Sequence, residues 1–150
     1  MVAQVRSWAV QKSDEGWRLP VEQRRVSRCT FDHAFALEFH EGEQSAVLRI
    51  EGGFTILDRE QVHRLTPSSP VNLGLAVALF GQVVQSARTS EEGKLEIAFE
   101  DGRSLTVAPN DRYEAWEFSG PGGVRVVCTP GGGISVWQPK DKPQGSDSLS

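Results

Sequence analysis

The sequence predicts a mainly β domain, an α+β arrangement with one short helix, whose antiparallel meanders fold as a sandwich or partly open barrel. Three observations carry this reading. Residues 26–50 and 84–107 follow one pattern: a short apolar run, a polar break, an alternating strand, an acidic-Gly turn and a second alternating strand. Phe35, Leu37 and Phe39 correspond to Leu95, Ile97 and Phe99, Glu41-Gly42 to Asp101-Gly102, and Leu48 and Ile50 to Leu105 and Val107. Alternation of period two marks strands with one buried face. A C-terminal stretch then alternates three times between glycine-rich turns, and 15 Gly and 8 Pro in 150 residues supply the many turns such a fold needs.

Residues 1–20 are weakly patterned, with Val5, Trp8 and Val10 placed to start a strand or cap the core. Leu19-Pro20 marks a boundary, because the residue before proline avoids the helical region. A strand follows over 21–30, with Val26 and Cys29 as its apolar members, and Asp32-His33 breaks it. Phe35, Leu37 and Phe39 alternate with Ala36, Glu38 and His40; Gly42 turns the chain, and Ala46, Leu48 and Ile50 return it. Gly52-Gly53 precedes a short strand over 54–57, and the polar residues 58–69 read as a loop. Ser69-Pro70 has the form of an N-cap followed by proline at the first helical position, which predicts a helix over 71–80 ended by Gly81. Being apolar on most faces, this helix is expected to pack against the sheet and to join the two similar β-units. After the second unit come strands over 113–119, 124–129 and 134–138. The domain therefore runs over 21–138, with a tail from 139 to 150 whose one apolar residue beyond its prolines is Leu149 and which reads as disordered.

The net charge of −4 and the pI near 5.4 argue against nucleic acid and anionic membrane surfaces, which draw on clustered Lys and Arg. The longest apolar stretch, Leu75 to Phe80, is too short to span a bilayer, and the N-terminal residues have no signal-like apolar core. Cys29 and Cys128 are too far apart for a zinc knuckle or a CxxC redox motif. The expectation is a cytoplasmic protein with reduced thiols, no cofactor and no metal.

Candidate chemistry is sparse. Neither glycine run is followed by Lys-Ser or Lys-Thr, so both read as hairpin turns rather than phosphate loops. His33, His40 and His63 form no HxH or HxxxH pair, and Asp32-His33 has no nucleophile context. Arg24, Arg25 and Arg28, with Arg18, form the one basic cluster; on a strand Arg24 and Arg28 share a face and Arg25 takes the other. They suit an anionic ligand or an acidic surface, or a charged edge that discourages pairing. With Asp32 and His33 they are the ligand-binding candidates. Glu38, Glu41, Glu43 and Glu51 surround the first hairpin and Glu96, Glu100 and Asp101 the second. Glu38 and Glu96, together with Trp137 at the end of the last strand, are the interface candidates, since acidic faces and tryptophans serve protein recognition. Trp116 is expected in the core and Cys29 and Cys128 as small buried residues.

The C-terminal third carries a resemblance. Tyr113-Glu114-Ala115-Trp116, then Gly120-Pro121 and the Val126-Val127-Cys128 run, then Pro130-Gly131-Gly132-Gly133 and Trp137, resemble a family of small uncharacterised proteins common in actinobacteria. The upstream Ile50-Glu51-Gly52-Gly53-Phe54 and Ala78-Leu79-Phe80-Gly81 resemble it too, so that coverage extends over about residues 22–137. The resemblance implies a domain of unknown function and hands over no catalytic residues. The leading expectation is a non-enzymatic protein-binding module, in a specific version an immunity-type protein that neutralises a toxin through its acidic face. The alternatives are a small-molecule binder or enzyme with a site between the two β-units, and a homodimeric structural protein.

Overall fold

The computed structural model describes residues 6–139 as two antiparallel sheets packed face to face. One sheet has seven strands: β1 (Gln11–Lys12), β2 (Gly16–Arg18), β6 (Phe54–Asp58), β7 (Gln61–Leu65), β8 (Val84–Ser90), β9 (Leu95–Phe99) and β10 (Ser104–Val107), in the spatial order β1-β2-β8-β9-β10-β6-β7. The other has six: β3 (Val26–Phe31), β4 (Phe35–Glu41), β5 (Gln44–Ile50), β11 (Trp116–Gly120), β12 (Val124–Cys128) and β13 (Ile134–Trp137), ordered β13-β12-β11-β5-β4-β3. The mainly β reading holds; the sheets do not close into a barrel, and the described residues form thirteen strands.

The alternating residues lie as the period requires. Phe35, Leu37, Phe39, Leu48 and Ile50 from one sheet and Leu95, Ile97, Phe99, Leu105 and Val107 from the other fill a single buried cluster, joined by Trp116, Phe118 and Val126. The two similar units form three-stranded meanders, β3-β4-β5 and β8-β9-β10, one in each sheet. Each has a bulge in its first ladder, just after Val26 pairs with Phe39 and just after Val84 pairs with Phe99. Their entries meet antiparallel at the Arg25–Val83 bridge, where Val26 N donates to Gln82 O at 2.9 Å and Val84 N to Arg24 O at 2.9 Å.

Several expected elements differ. The strand placed at 21–30 begins only at Val26, because residues 20–23 turn and Gln23 takes φ +65°. Residues 19–25 continue along β8 before the chain crosses to the other sheet: Leu19 N donates to Ala87 O at 3.0 Å and Gln23 N to Val84 O at 2.8 Å. The helix placed at 71–80 shrinks to α1 (Leu73–Val77). Asn72 stands at its N-cap in the left-handed region at φ 63°, while the Ser69 hydroxyl accepts a bond from Val71 N at 3.3 Å in a local turn instead of capping. A single turn is not stable by itself, and of this segment only Ala76 and Leu79 are buried. Residues 58–69 are not all loop, since β7 pairs with β6 through a turn that puts Arg59 at φ 59°. As an edge strand β7 buries only Leu65, which is why its composition reads as polar. Residues 1–20, expected to be weakly structured, hold β1, β2 and the buried Trp8 and Val10 in their described part. Val5 and the tail residues 140–150 lie outside the described residues. No helix of the described residues is long and apolar enough to cross a membrane.

Trp116 ties the sheets together. Its ring is fully buried and its Nε1 donates to Gly93 O, in the β8–β9 turn, at 2.9 Å. Trp116→Phe should therefore lose about 2–4 kcal/mol, combining an orphaned carbonyl with lost volume. Urea unfolding monitored by circular dichroism should show the midpoint fall with an unchanged slope.

Candidate functional site

The basic cluster separates once folded. Arg24 lies in the turn-and-crossover that precedes β3, and the β3 bulge breaks the alternation that would have put it beside Arg28. Its side chain is only 3% exposed. Nη1 donates to Pro20 O at 2.5 Å and Ser7 O at 3.3 Å, Nη2 to Arg6 O at 3.0 Å, and the guanidinium carbon sits 3.6 Å from the centroid of the Trp8 ring. Nε is 3.2 Å from Glu41 Oε1, a charge contact whose alignment leaves the Nε hydrogen without a bonded acceptor. Burial pulls the guanidinium's pKa down, with Glu41 opposing and the Arg6 charge adding to the fall. The Glu41 carboxyl is held below its usual range, chiefly by the Arg6 side chain, with the Arg6 backbone N–H and the Arg24 charge helping against desolvation. Arg24 is therefore the pin that fastens residues 6–8 onto the domain.

The other candidates lie apart. Arg25 is exposed and its Nη1 donates to Gly81 O at 2.5 Å. Arg28 points outward and stands 3.5 Å from Glu38, its cross-strand partner. The Asp32 carboxylate accepts from Ala34 N at 2.8 Å and faces Arg49 at 3.3 Å; the Ala34 bond leads in holding its pKa down. These contacts make Asp32 the turn residue between β3 and β4. His33 lines a cavity of about 500 Å³ at one end of the sandwich, with Glu51, Thr66, Ser68, Tyr113 and Glu114. Tyr113 closes down on Gly52, where a Cβ would lie 2.3 Å from the phenol oxygen. This cavity joins loops from both sheets, and Arg24, Arg25, Arg28 and Asp32 are not among its walls.

Glu38 and Trp137 occupy the same outer face, that of the six-stranded sheet. Pairing runs Arg28–Glu38–Val47–Ser119–Arg125–Trp137 across all six strands. Trp137 is 51% exposed, with the Arg125 guanidinium 5.4 Å from its ring centroid. Glu96 is on the opposite face of the molecule, in the seven-stranded sheet. There pairing runs Gln11–Arg18–Arg88–Glu96–Thr106–Thr55–Arg64. Sequence reasoning missed Arg88 and Lys94, which stand with Glu96 and Arg18 along a groove of about 450 Å³. Their grouping follows from pairing between β2 and β8, a contact across some seventy residues that no local pattern announces.

Among the described residues no group of three or more His, Cys, Asp or Glu side chains is placed to hold a metal ion. Cys128 is buried and Cys29 half-buried, and both are free thiols. Burial pushes the Cys29 thiol up to about 11 and raises that of Cys128 as well.

The geometry defines a two-sheet antiparallel β-sandwich with polar surface hollows and an N-terminal strap. Residues 17–138 match a family described as a family of unknown function (DUF6188), and the chain belongs to that family. No curated protein and no solved structure matches the chain.

Arg24→Met should destabilise the protein by about 2 kcal/mol, less than the about 3–5 kcal/mol of a fully buried pair because Glu41 keeps some water. The linked pH dependence has a fixed sign. The folded pKa of Glu41 is depressed, so its contribution is complete above the ordinary value of 4.5 and is lost as pH falls through the folded value. Acid should release the strap first, seen as a change in tryptophan emission that Trp8→Phe abolishes. Both thiols should react slowly with a disulfide reagent at pH 7.5 in the native protein and rapidly in denaturant.

Proposed function

We propose that this domain is a non-enzymatic protein-binding module, anchored on its partner by the segment 71–81. One observation carries the reading. Val71, Val77 and Phe80 are 67%, 47% and 58% exposed on a segment that buries only Ala76 and Leu79. Large apolar side chains gathered on one exposed segment are the informative exception on a soluble surface. The segment is also held in place: Phe80 N bonds Val77 O at 2.9 Å, Gly81 N bonds Val26 O at 2.8 Å, and Arg103 Nη2 bonds Ala78 O at 3.0 Å. An anchor fixed before contact loses little conformational entropy on binding. The partner we assign is a protein with an apolar pocket for Phe80.

An immunity-type protein, which silences a toxin by covering it, is the version we favour. The net charge of −4 suits a basic partner. A reducing compartment such as the cytoplasm fits the two free thiols.

The test uses the full tagged chain as bait in lysate of its source organism, with light scattering of the purified protein alongside. We expect a monomer that retains one stoichiometric partner. Phe80→Ser should reduce that capture at least about tenfold, in line with an aromatic hot spot. Trp137→Ala should leave it unchanged. Retention of the partner by Phe80→Ser refutes the assigned surface. A homodimer with no other partner refutes the module in favour of a structural role.

A further inference from the structure

The groove on the seven-stranded sheet goes beyond this reading and stands without it. Its floor is the outer face of β2, β8 and β9. Its roof is the β1–β2 turn, closed by Ser13 N donating to Gly16 O at 2.8 Å. That roof is tied from two sides: Glu91 N bonds Glu15 O at 3.2 Å, and Lys12 Nζ meets Glu91 at 2.6 Å. Gly16 lets β2 lie so close to β8 that a Cβ there would fall 1.9 Å from Thr89 O.

Arg18 and Arg88 are direct cross-strand partners in this groove. Like charges placed opposite one another in an antiparallel pair are destabilising. Several other arginines are neutralised, Arg6 and Arg24 on Glu41, Arg28 on Glu38, Arg49 on Asp32 and Glu51, Arg103 on Asp101 and Arg125 on Glu117, whereas Arg25, Arg59, Arg64 and Arg112 make no ion pair among the described residues. In the groove Arg18 reaches only Glu22, at 3.8 Å. Among the described residues Arg88, Lys94 and Glu96 make no ion pair, although Arg88 and Glu96 oppose each other in register. The row thus presents Arg88 without an ion pair beside Arg18, whose contact with Glu22 is long, and the unpaired Glu96 carboxylate on the next strand. Its volume of about 450 Å³ lies in the range of small-molecule sites.

We propose that this groove binds a small zwitterion, its carboxylate or phosphate held by Arg18 and Arg88 and its ammonium by Glu96. Paired guanidiniums match the oxygens of either anion with parallel N–H bonds. Lys94, opposite Ser90, and Asp14 and Glu15 in the roof add charges of both signs to the walls. A plain anion meets the repulsion of Glu96, and a plain amine that of Arg88, so that only a molecule with both charges satisfies the row.

Titration of the labelled full chain by amide NMR tests this with four probes: phosphoethanolamine, β-alanine, inorganic phosphate and ethylamine. We expect saturable shifts at Ser90, Lys94 and Glu96 with at least one zwitterion, at a Kd below about 1 mM. Whichever of phosphoethanolamine and β-alanine binds more tightly identifies the anion as phosphate or carboxylate. Inorganic phosphate should bind at least about tenfold more weakly and ethylamine not at all. Arg88→Gln should weaken the zwitterion about tenfold or more without lowering thermal melting, since the side chain is exposed and its loss relieves the Arg18 repulsion. Glu96→Gln should weaken the zwitterion and not inorganic phosphate. Absence of saturable shifts with both zwitterions, shifts unaltered by Arg88→Gln, or phosphate binding as tightly as phosphoethanolamine would each overturn the assignment.

Discussion

The fold depends on one buried hydrogen bond between its sheets. Trp116 offers the largest fully buried side chain of the core, and an indole N–H so enclosed must find an acceptor. It finds Gly93 O in the turn of the facing sheet. That carbonyl is aimed correctly because Gly93 takes φ +99°, and a Cβ there would press to 2.7 Å from Cys128 Sγ. The turn is in turn gripped by the β12–β13 connection, where Gly133 N donates to Glu92 O at 3.0 Å. This polar atom in an apolar layer, together with the backbone bonds at the Arg25–Val83 bridge, sets where the two sheets meet, and the phenylalanines around it supply the area that makes the meeting favourable.

A second buried polar group does the same work at the crossover. The chain leaves β8's side at Arg25 and enters the other sheet at Val26, so the residues around 24 have no continuous ladder. The Arg24 guanidinium substitutes for one, bonding three carbonyls and stacking on Trp8. Gln138 completes the strap at its far end, accepting from Val10 N at 3.0 Å and donating to Val10 O at 3.2 Å. Fixing residues 6–10 fixes the start of β1, and with it the β1–β2 turn that roofs the groove. A structural arginine and a proposed binding surface are therefore linked through the backbone between them.

Much of this architecture was legible. The alternation of Phe35, Leu37 and Phe39 and of Leu95, Ile97 and Phe99 reports a one-sided burial that the sheets then realise, and the glycine-rich turns sit where the last three strands need them. What escaped has more than one cause: weak burial, local backbone conformation, and pairing with partners distant in sequence. β7 has too little buried surface to betray itself, and β1 and β2 are strands only because β8 is there to receive them. The helix was overread because Ser69-Pro70 mimics an N-cap while Asn72 adopts the left-handed conformation that delays the start. Arg24 looked like a surface charge because strand alternation was extended through a turn and a bulge. Of the candidate residues, Glu38 and Trp137 proved to share a row, whereas Glu96 belongs with Arg18 and Arg88 on the other side.

The two outer faces differ in a way that bears on recognition. On the six-stranded face the charges have found each other: Arg28 with Glu38, Arg49 with Asp32 and Glu51, Arg125 with Glu117 at 2.7 Å. A partner docking there would strip water from satisfied pairs and offer them little in exchange. Its exposed Trp137 already has the Arg125 guanidinium over its ring. On the seven-stranded face Arg88, with Arg18 opposite it, makes no ion pair among the described residues, and along the segment 71–81 Phe80 is left without apolar cover. Binding free energy comes from needs that folding leaves unsatisfied. The face whose charges are paired is on that ground the poorer candidate for contact, and the groove and the short apolar segment are the better ones.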